Sequence, residues 1–78
     1  MKVTIYGREN CIFCTRSKDL VKAGALEHDY IDIDEQGITK DDLIAMVGKP
    51  VSTLPQIFVD GEHVGGYTEL VSYLNKKK

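Results

Sequence analysis

Between residues 3 and 33 the hydrophobic pattern changes period twice, and this removes most of the folds open to a short chain. Val3-Thr4-Ile5-Tyr6 alternates β-branched and aromatic residues as a strand does, and Gly7 stops it. From 12 to 23, Phe13, Cys14, Ser17, Leu20, Val21 and Gly24 recur at intervals of three and four, one face of a helix. Gly24 is placed as its left-handed terminator. Residues 28–33 alternate again around Tyr30, Ile31 and Ile33, until Gln36-Gly37 breaks the pattern. A strand, a helix and a strand in that order require parallel strands joined by a right-handed crossover.

The second half is built differently. Thr39-Lys40-Asp41-Asp42 has the spacing of a capping box, with Leu43, Ile44, Met46 and Val47 as the inward face of a second helix. Gly48 closes it and Pro50 prevents its resumption. Gln56-Ile57-Phe58-Val59 and Glu62-His63-Val64 flank Asp60-Gly61, a two-residue hairpin signal, so these strands run antiparallel. Gly65-Gly66 lead into a last helix with the apolar stripe Tyr67, Leu70, Val71 and Leu74. The order β-α-β-α-β-β-α predicts an α/β fold: a mixed four-stranded sheet flanked on its two faces by three helices.

Length and charge bound the partners. Seventy-eight residues make one domain, 1–78, and 42% hydrophobic residues suffice for one core. No apolar run approaches the ~20 residues that span a bilayer. The first residues lack the apolar centre of a signal peptide, so the expected address is cytoplasmic, with no membrane partner. Without Lys76-Lys77-Lys78 the chain carries seven bases against twelve acids, and residues 27–42 hold seven acids and one base. Phosphate neutralisation needs clustered Lys and Arg, so nucleic acid is not an expected partner. The acidic stretch reads as a solvated surface and the lysine tail as a frayed helix end. A monomer is expected.

The two cysteines form Cys11-Ile12-Phe13-Cys14. A disulfide that stabilises closes a long loop, and this one closes almost none. Zinc needs two more ligands, and only His28 and His63 remain, so no metal is expected. Two core cysteines brought together by chance are the plain alternative. The element order weakens it by putting Cys11 where a strand hands over to a helix. There the free N–H groups and the dipole favour a thiolate, with Arg8, Arg16 and Lys18 in support against Glu9 and Asp19. Cys14, one turn deeper on the same face, is shielded. Cys11 attacks and Cys14 resolves.

Three blocks now stand together: Arg8-Glu9-Asn10-Cys11-Ile12-Phe13-Cys14, Thr53-Leu54-Pro55-Gln56-Ile57-Phe58-Val59 and Gly65-Gly66-Tyr67-Thr68-Glu69-Leu70. In this order and spacing they resemble the signature blocks of the dithiol glutaredoxins. The segment around Gly37-Ile38-Thr39-Lys40 and Gly48-Lys49-Pro50-Val51 is similar to the small bacterial and phage members that serve ribonucleotide reductase. The resemblance covers essentially the whole chain. It implies a thioredoxin-like fold and glutathione-dependent reduction of protein disulfides and glutathione mixed disulfides, with glutathione as co-substrate. It also implies disulfide proteins, ribonucleotide reductase among them, as partners.

The resemblance assigns further residues. Pro55 matches the family's cis-proline, and Leu54 before it then pairs strand-like with the cysteinyl part of glutathione, beside Thr53; an ordinary strand-edge proline is the alternative. Gly66, Tyr67, Thr68 and Glu69 form the turn into the last helix. Thr68 and Glu69 hold the γ-glutamyl end, and Thr68 also suits a helix N-cap. Glu69 replaces the family's more frequent Asp. Arg8 takes the glycine carboxylate and steadies the thiolate, or is simply an exposed cation. Phe13 and Tyr67 fit equally a flank of the site and a partly buried place in the core. Ile12 replaces the usual proline and restores an N–H, and Phe13 replaces the usual tyrosine. Two other readings remain: a redoxin reduced by thioredoxin reductase, against which the absence of tryptophan speaks, and a [2Fe–2S] carrier, against which Cys14 speaks.

Overall fold

The computed structural model describes residues 1–51 and 53–76; of the lysine tail, Lys77 and Lys78 lie outside the described residues. The elements are β1 (Lys2–Gly7), α1 (Ile12–Ala23), β2 (Glu27–Asp32), α2 (Lys40–Val47), β3 (Gln56–Val59), β4 (Glu62–Gly65) and α3 (Tyr67–Lys76). The sheet order is β2-β1-β3-β4, with β1 parallel to β2 and antiparallel to β3, and β3 antiparallel to β4. This is the predicted mixed sheet with three helices.

Alternation decides which side of each strand is buried. Val3 and Ile5 on β1 and Ile57 and Val59 on β3 point to one face, where Val21 of α1 and Leu70 of α3 meet them; all six are at most 2% exposed. Leu20, Leu26, Tyr30, Val64, Tyr73 and Leu74 pack around this core. The opposite face carries Thr4, Tyr6 and Phe58, which share a shallow recess with Met46 of α2. The Tyr6 and Phe58 rings meet edge-on there, 5.7 Å apart. In the hairpin, Asp60 and Gly61 both have positive φ, 52° and 84°, as a type I′ turn requires. Asp60 clamps the turn onto β1, its N–H donating to the Lys2 carbonyl at 2.8 Å and its carboxylate accepting from the Lys2 N–H at 2.7 Å.

Several local expectations are corrected. Gly24 does not adopt the left-handed conformation; its φ is −82°, and Ala25 takes that role at φ 53°. The Leu26 N–H reaches the Val21 carbonyl and the Ala25 N–H that of Lys22, so the helix closes one residue later in a Schellman motif. Gly7 does not stop β1 but belongs to it, opposite Asp32. The second strand starts one residue earlier than its alternation suggests, and Ile33 still donates to the Gly7 carbonyl at 2.8 Å. On α2 the capping box forms, Asp42 N–H to Thr39 Oγ1 at 3.1 Å and Thr39 N–H to Asp42 Oδ2 at 2.9 Å. Only Leu43 of its expected inward face is fully buried, and Met46 is 42% exposed, because this helix packs loosely over its side of the sheet.

Candidate active site

Cys11 is the N-cap of α1, with extended backbone (φ −105°, ψ 108°), and the loop reaches it through Asn10 at φ 60°. Cys11 and Cys14 are bonded to each other across one helical turn, with Cα atoms 5.2 Å apart. The Cys14 N–H donates to Cys11 Sγ at 3.2 Å, so an amide from the first helical turn points at the outer sulfur. Cys14 is wholly buried, whereas Cys11 is partly exposed between Asn10 and Ile12. The Ser17 hydroxyl donates to the Phe13 carbonyl at 2.8 Å and that of Thr15 to the Cys11 carbonyl at 3.2 Å, fastening the first turn from inside and outside.

Gly7 sets how closely this turn approaches the sheet. A methyl group there would lie 2.7 Å from Tyr30 Oη and 2.8 Å from Cys14 Sγ. The Tyr30 hydroxyl donates to the Arg8 carbonyl at 3.3 Å, and burial, with Asp32 nearby, holds its pKa above the ordinary phenol value.

Of the cations expected around Cys11, Arg8 and Lys18 are engaged elsewhere. The Arg8 guanidinium grips Asp34, Nε to Oδ2 at 3.1 Å and Nη2 to Oδ1 at 2.8 Å, which holds its pKa above the usual value. Lys18 Nζ lies 4.7 Å from the centre of the Tyr30 ring, and the Arg16 guanidinium 5.4 Å from that of Phe13. The Cys14 amide at the helix terminus points at the outer sulfur, and Arg16 lines the same shallow recess as Cys11.

Opposite Cys11 stands the Thr53-Leu54-Pro55 segment. The Leu54–Pro55 bond is cis, Pro55 is buried, and the Leu54 carbonyl oxygen lies 3.9 Å from Cys11 Sγ. A strand-edge place for Pro55 is thereby excluded: it leads into β3, an inner strand. A cavity of about 350 Å³ opens alongside, walled by Arg8, Asp34, Thr53 and Leu54, with Ile38 and Leu43 among its apolar residues. On the other flank the Phe13 and Tyr67 rings lie 5.9 Å apart; Phe13 is 51% exposed and Tyr67 half-buried. Ile12 is 68% exposed beside the sulfur.

At the start of α3, Gly66 rather than Thr68 precedes the first turn, and its carbonyl accepts from Leu70 N–H at 3.0 Å. Glu69 folds back so that Oε1 accepts from the Gly66 N–H at 2.7 Å, the half of a capping box that needs no N-cap side chain. This close fold uses the missing side chain of Gly65, whose Cβ would lie 2.7 Å from Glu69 Cγ. Thr68 is exposed in the first turn.

Four residues beside the predicted set shape the site. Asn10 is the turn residue, and its tolerance of left-handed backbone was a usable signal. Tyr30 shares the space above Gly7 with Cys14. Gln56 is buried and joins Thr53 to His63, donating from Nε2 to the Thr53 carbonyl and meeting His63 Nε2 through Oε1, each at 2.8 Å. Burial, and Lys49 nearby, lower the His63 pKa from its ordinary 6.5, against an opposing pull from Glu69. Among the described residues there is no group of three or more His, Cys, Asp or Glu placed to hold a metal ion, and no helix long and apolar enough to cross a membrane.

Comparison with known proteins returns the same arrangement. The sequence pattern of the Glutaredoxin family matches residues 3–64. Glutaredoxin 1 of Escherichia coli K12 is 46% identical over 81 residues, covering 97% of this chain and 95% of its own length. The solved structure of Escherichia coli glutaredoxin superposes with a TM-score of 0.83 at 41% identity, over 99% of this chain and 96% of that one. Glutaredoxin 1 from Francisella tularensis does so at 0.78 and 34%, over 97% and 94%. The similarity runs along nearly the whole length of a chain that pairs its Cys-x-x-Cys at a helix start, and the chain belongs to the glutaredoxin family of thiol–disulfide oxidoreductases.

Proposed function

We propose that the protein reduces protein disulfides and glutathione mixed disulfides at the expense of glutathione, with Cys11 as the attacking sulfur and Cys14 as the resolving one. The observation that carries this division is burial: of two bonded sulfurs on one helical turn, only that of Cys11 is reachable.

In the reduced protein the Cys11 thiolate, favoured by the Cys14 amide and the helix terminus, attacks one sulfur of a disulfide. The substrate S–S bond breaks, the second substrate sulfur leaves as a thiolate and takes a proton from solvent, and a mixed disulfide to Cys11 remains. Cys14 then gives up its proton and attacks Cys11 Sγ, expelling the remaining substrate thiolate and forming the Cys11–Cys14 disulfide. Where the group left on Cys11 is glutathionyl, a glutathione thiolate can instead attack its sulfur directly, releasing glutathione disulfide and the Cys11 thiolate. One glutathione thiolate opens the Cys11–Cys14 bond at the exposed Cys11 sulfur. A second attacks the glutathionyl sulfur, so that two glutathione molecules are oxidised to glutathione disulfide for each disulfide reduced. Glutathione reductase with NADPH restores the pool.

Glutathione lies between the two flanks of Cys11 in this reading. Its cysteinyl backbone pairs with Leu54 beside Thr53 and Pro55. Its γ-glutamyl carboxylate meets the Tyr67 and Thr68 N–H groups and the Thr68 hydroxyl, beside Gly66, whose own N–H is held by Glu69, and its amino group meets the Glu69 carboxylate. Glu69 reaches it with Oε2, since Oε1 is held by Gly66. Arg8 takes the glycine carboxylate with the N–H groups that Asp34 leaves free, and Phe13 and Tyr67 line the approach. The protein acts in the cytoplasm, where the glutathione pool keeps thiols reduced. Ribonucleotide reductase is put forward among its protein substrates on the resemblance of segment 37–51 alone.

The test follows NADPH consumption with glutathione, glutathione reductase and a small glutathione mixed disulfide. Wild type and Cys14→Ser should both turn over, while Cys11→Ser should not. Activity in Cys11→Ser, or none in a folded wild type, would refute the assignment.

A further inference from the structure

Gln56 stands one residue beyond the cis Leu54–Pro55 bond and is 4% exposed. Its amide has one workable orientation. Nε2 donates to the Thr53 carbonyl at 2.8 Å; turned over, the amide would set two acceptor oxygens against each other. Oε1 must then face His63 Nε2, 2.8 Å away, and the amide in turn selects the tautomer, because His63 has to carry its proton on that nitrogen. The ring is held for this by the sheet: Phe58 and His63 are cross-strand partners, with ring centres 5.2 Å apart at 61°. Neither Thr53 nor Leu54 makes a backbone–backbone hydrogen bond with another described residue. Among the described residues the Gln56 side chain is a hydrogen-bonded tie from this stretch to β3, next in sequence to the Leu54 carbonyl that faces Cys11.

We infer that His63 is a positioning residue for the exchange reaction: it locks the Gln56 amide, the amide locks the Thr53 carbonyl, and the Leu54 backbone is thereby presented to the substrate in one orientation. The inference rests on the reading above, in which the cysteinyl backbone of glutathione pairs with Leu54. His63 touches neither the sulfurs nor the substrate. Without its N–H, the buried Gln56 oxygen loses its partner, and the amide can rotate to find another, releasing Thr53. A substrate with a peptide backbone feels this loss, whereas a disulfide with no backbone to pair does not.

The experiment measures second-order rate constants of the fully reduced protein with glutathione disulfide and with bis(2-hydroxyethyl) disulfide, and takes their ratio. In His63→Leu the ratio should fall by roughly tenfold, the scale of one lost buried hydrogen-bond partner, with the hydroxyethyl rate unchanged. His63→Gln, which restores an N–H donor, should recover most of it. Gln56→Met cuts both bonds at nearly constant volume and should reproduce the drop, so the question does not hang on the folding of one variant; circular dichroism checks each fold. A ratio unchanged in folded His63→Leu or Gln56→Met overturns the inference, and so do two rates that fall together, which mark a merely structural role. A wild type with no preference for glutathione disulfide sinks the underlying glutathione reading and this inference with it. A wild-type preference that survives in the variants sinks the inference alone.

Discussion

Replacing Gly7 by alanine tests how tightly the reactive turn is seated on the sheet. Gly7 is not among the positive-φ residues, so alanine fits its backbone and the whole effect is steric. The new methyl would sit 2.7 Å from Tyr30 Oη, 2.8 Å from Cys14 Sγ and 3.0 Å from Cys14 Cβ. The phenol is the far end of a flexible side chain and can yield by giving up its 3.3 Å bond to the Arg8 carbonyl. Cys14 cannot, since it is buried on α1 and bonded to Cys11. Overpacking of this kind costs about 1–3 kcal/mol, and the immobile cysteine puts the expectation at about 2 kcal/mol. For a chain of this size that corresponds to a fall in Tm of about 8–16 °C. Thermal unfolding of the oxidised protein reads it, with the Gly7→Ala/Tyr30→Phe pair as the second arm. Removing the hydroxyl should recover part of the loss and leave the cysteine contact. Gly7→Ala within 0.5 kcal/mol of wild type, an approximate threshold for a neutral substitution, or full recovery in the double variant, would refute the reasoning.

Three further outcomes follow from local geometry. Ala25→Gly should stabilise the protein by about 1 kcal/mol in urea unfolding, because Ala25 holds the left-handed position that closes α1. Thr39→Ala should cost about 1 kcal/mol by the same measurement, as it removes the oxygen that accepts from the Asp42 N–H at the head of α2. For His63 the folded pKa is depressed below 6.5, so its contribution is complete above that value and is lost as pH falls through the lower folded value, the unfolded chain taking up the proton first. Stability measured from pH 7.5 down to 5 should therefore fall more steeply in wild type than in His63→Gln; parallel curves would contradict this.

The element order and the sheet were legible because period and punctuation agree: alternation in β1, intervals of three and four in α1, Asp60-Gly61 in the hairpin. The redox pair was legible for a chemical reason, since two cysteines three apart at a strand-to-helix junction have few other uses. What was not legible turned on longer contacts. Whether Gly24 or Ala25 closes α1 depends on which carbonyl Leu26 reaches, and no propensity favours alanine at φ 53°. Arg8 looks in sequence like a cation beside Cys11, but Asp34, twenty-six residues on, is brought to it by the parallel pairing of β1 and β2. The link from Thr53 through Gln56 to His63 requires the β3–β4 register and the turn at Pro55 together, and neither residue type announces it.

In the proposed exchange Cys11 is the reachable nucleophile and Cys14 the sheltered resolver. The most direct measurement is brief alkylation of the fully reduced, folded protein with limiting iodoacetamide, followed by peptide mass spectrometry. The expected product carries a single carboxamidomethyl group, on Cys11, with Cys14 modified only after denaturation. Label appearing first on Cys14, or at equal rates on both, would contradict it.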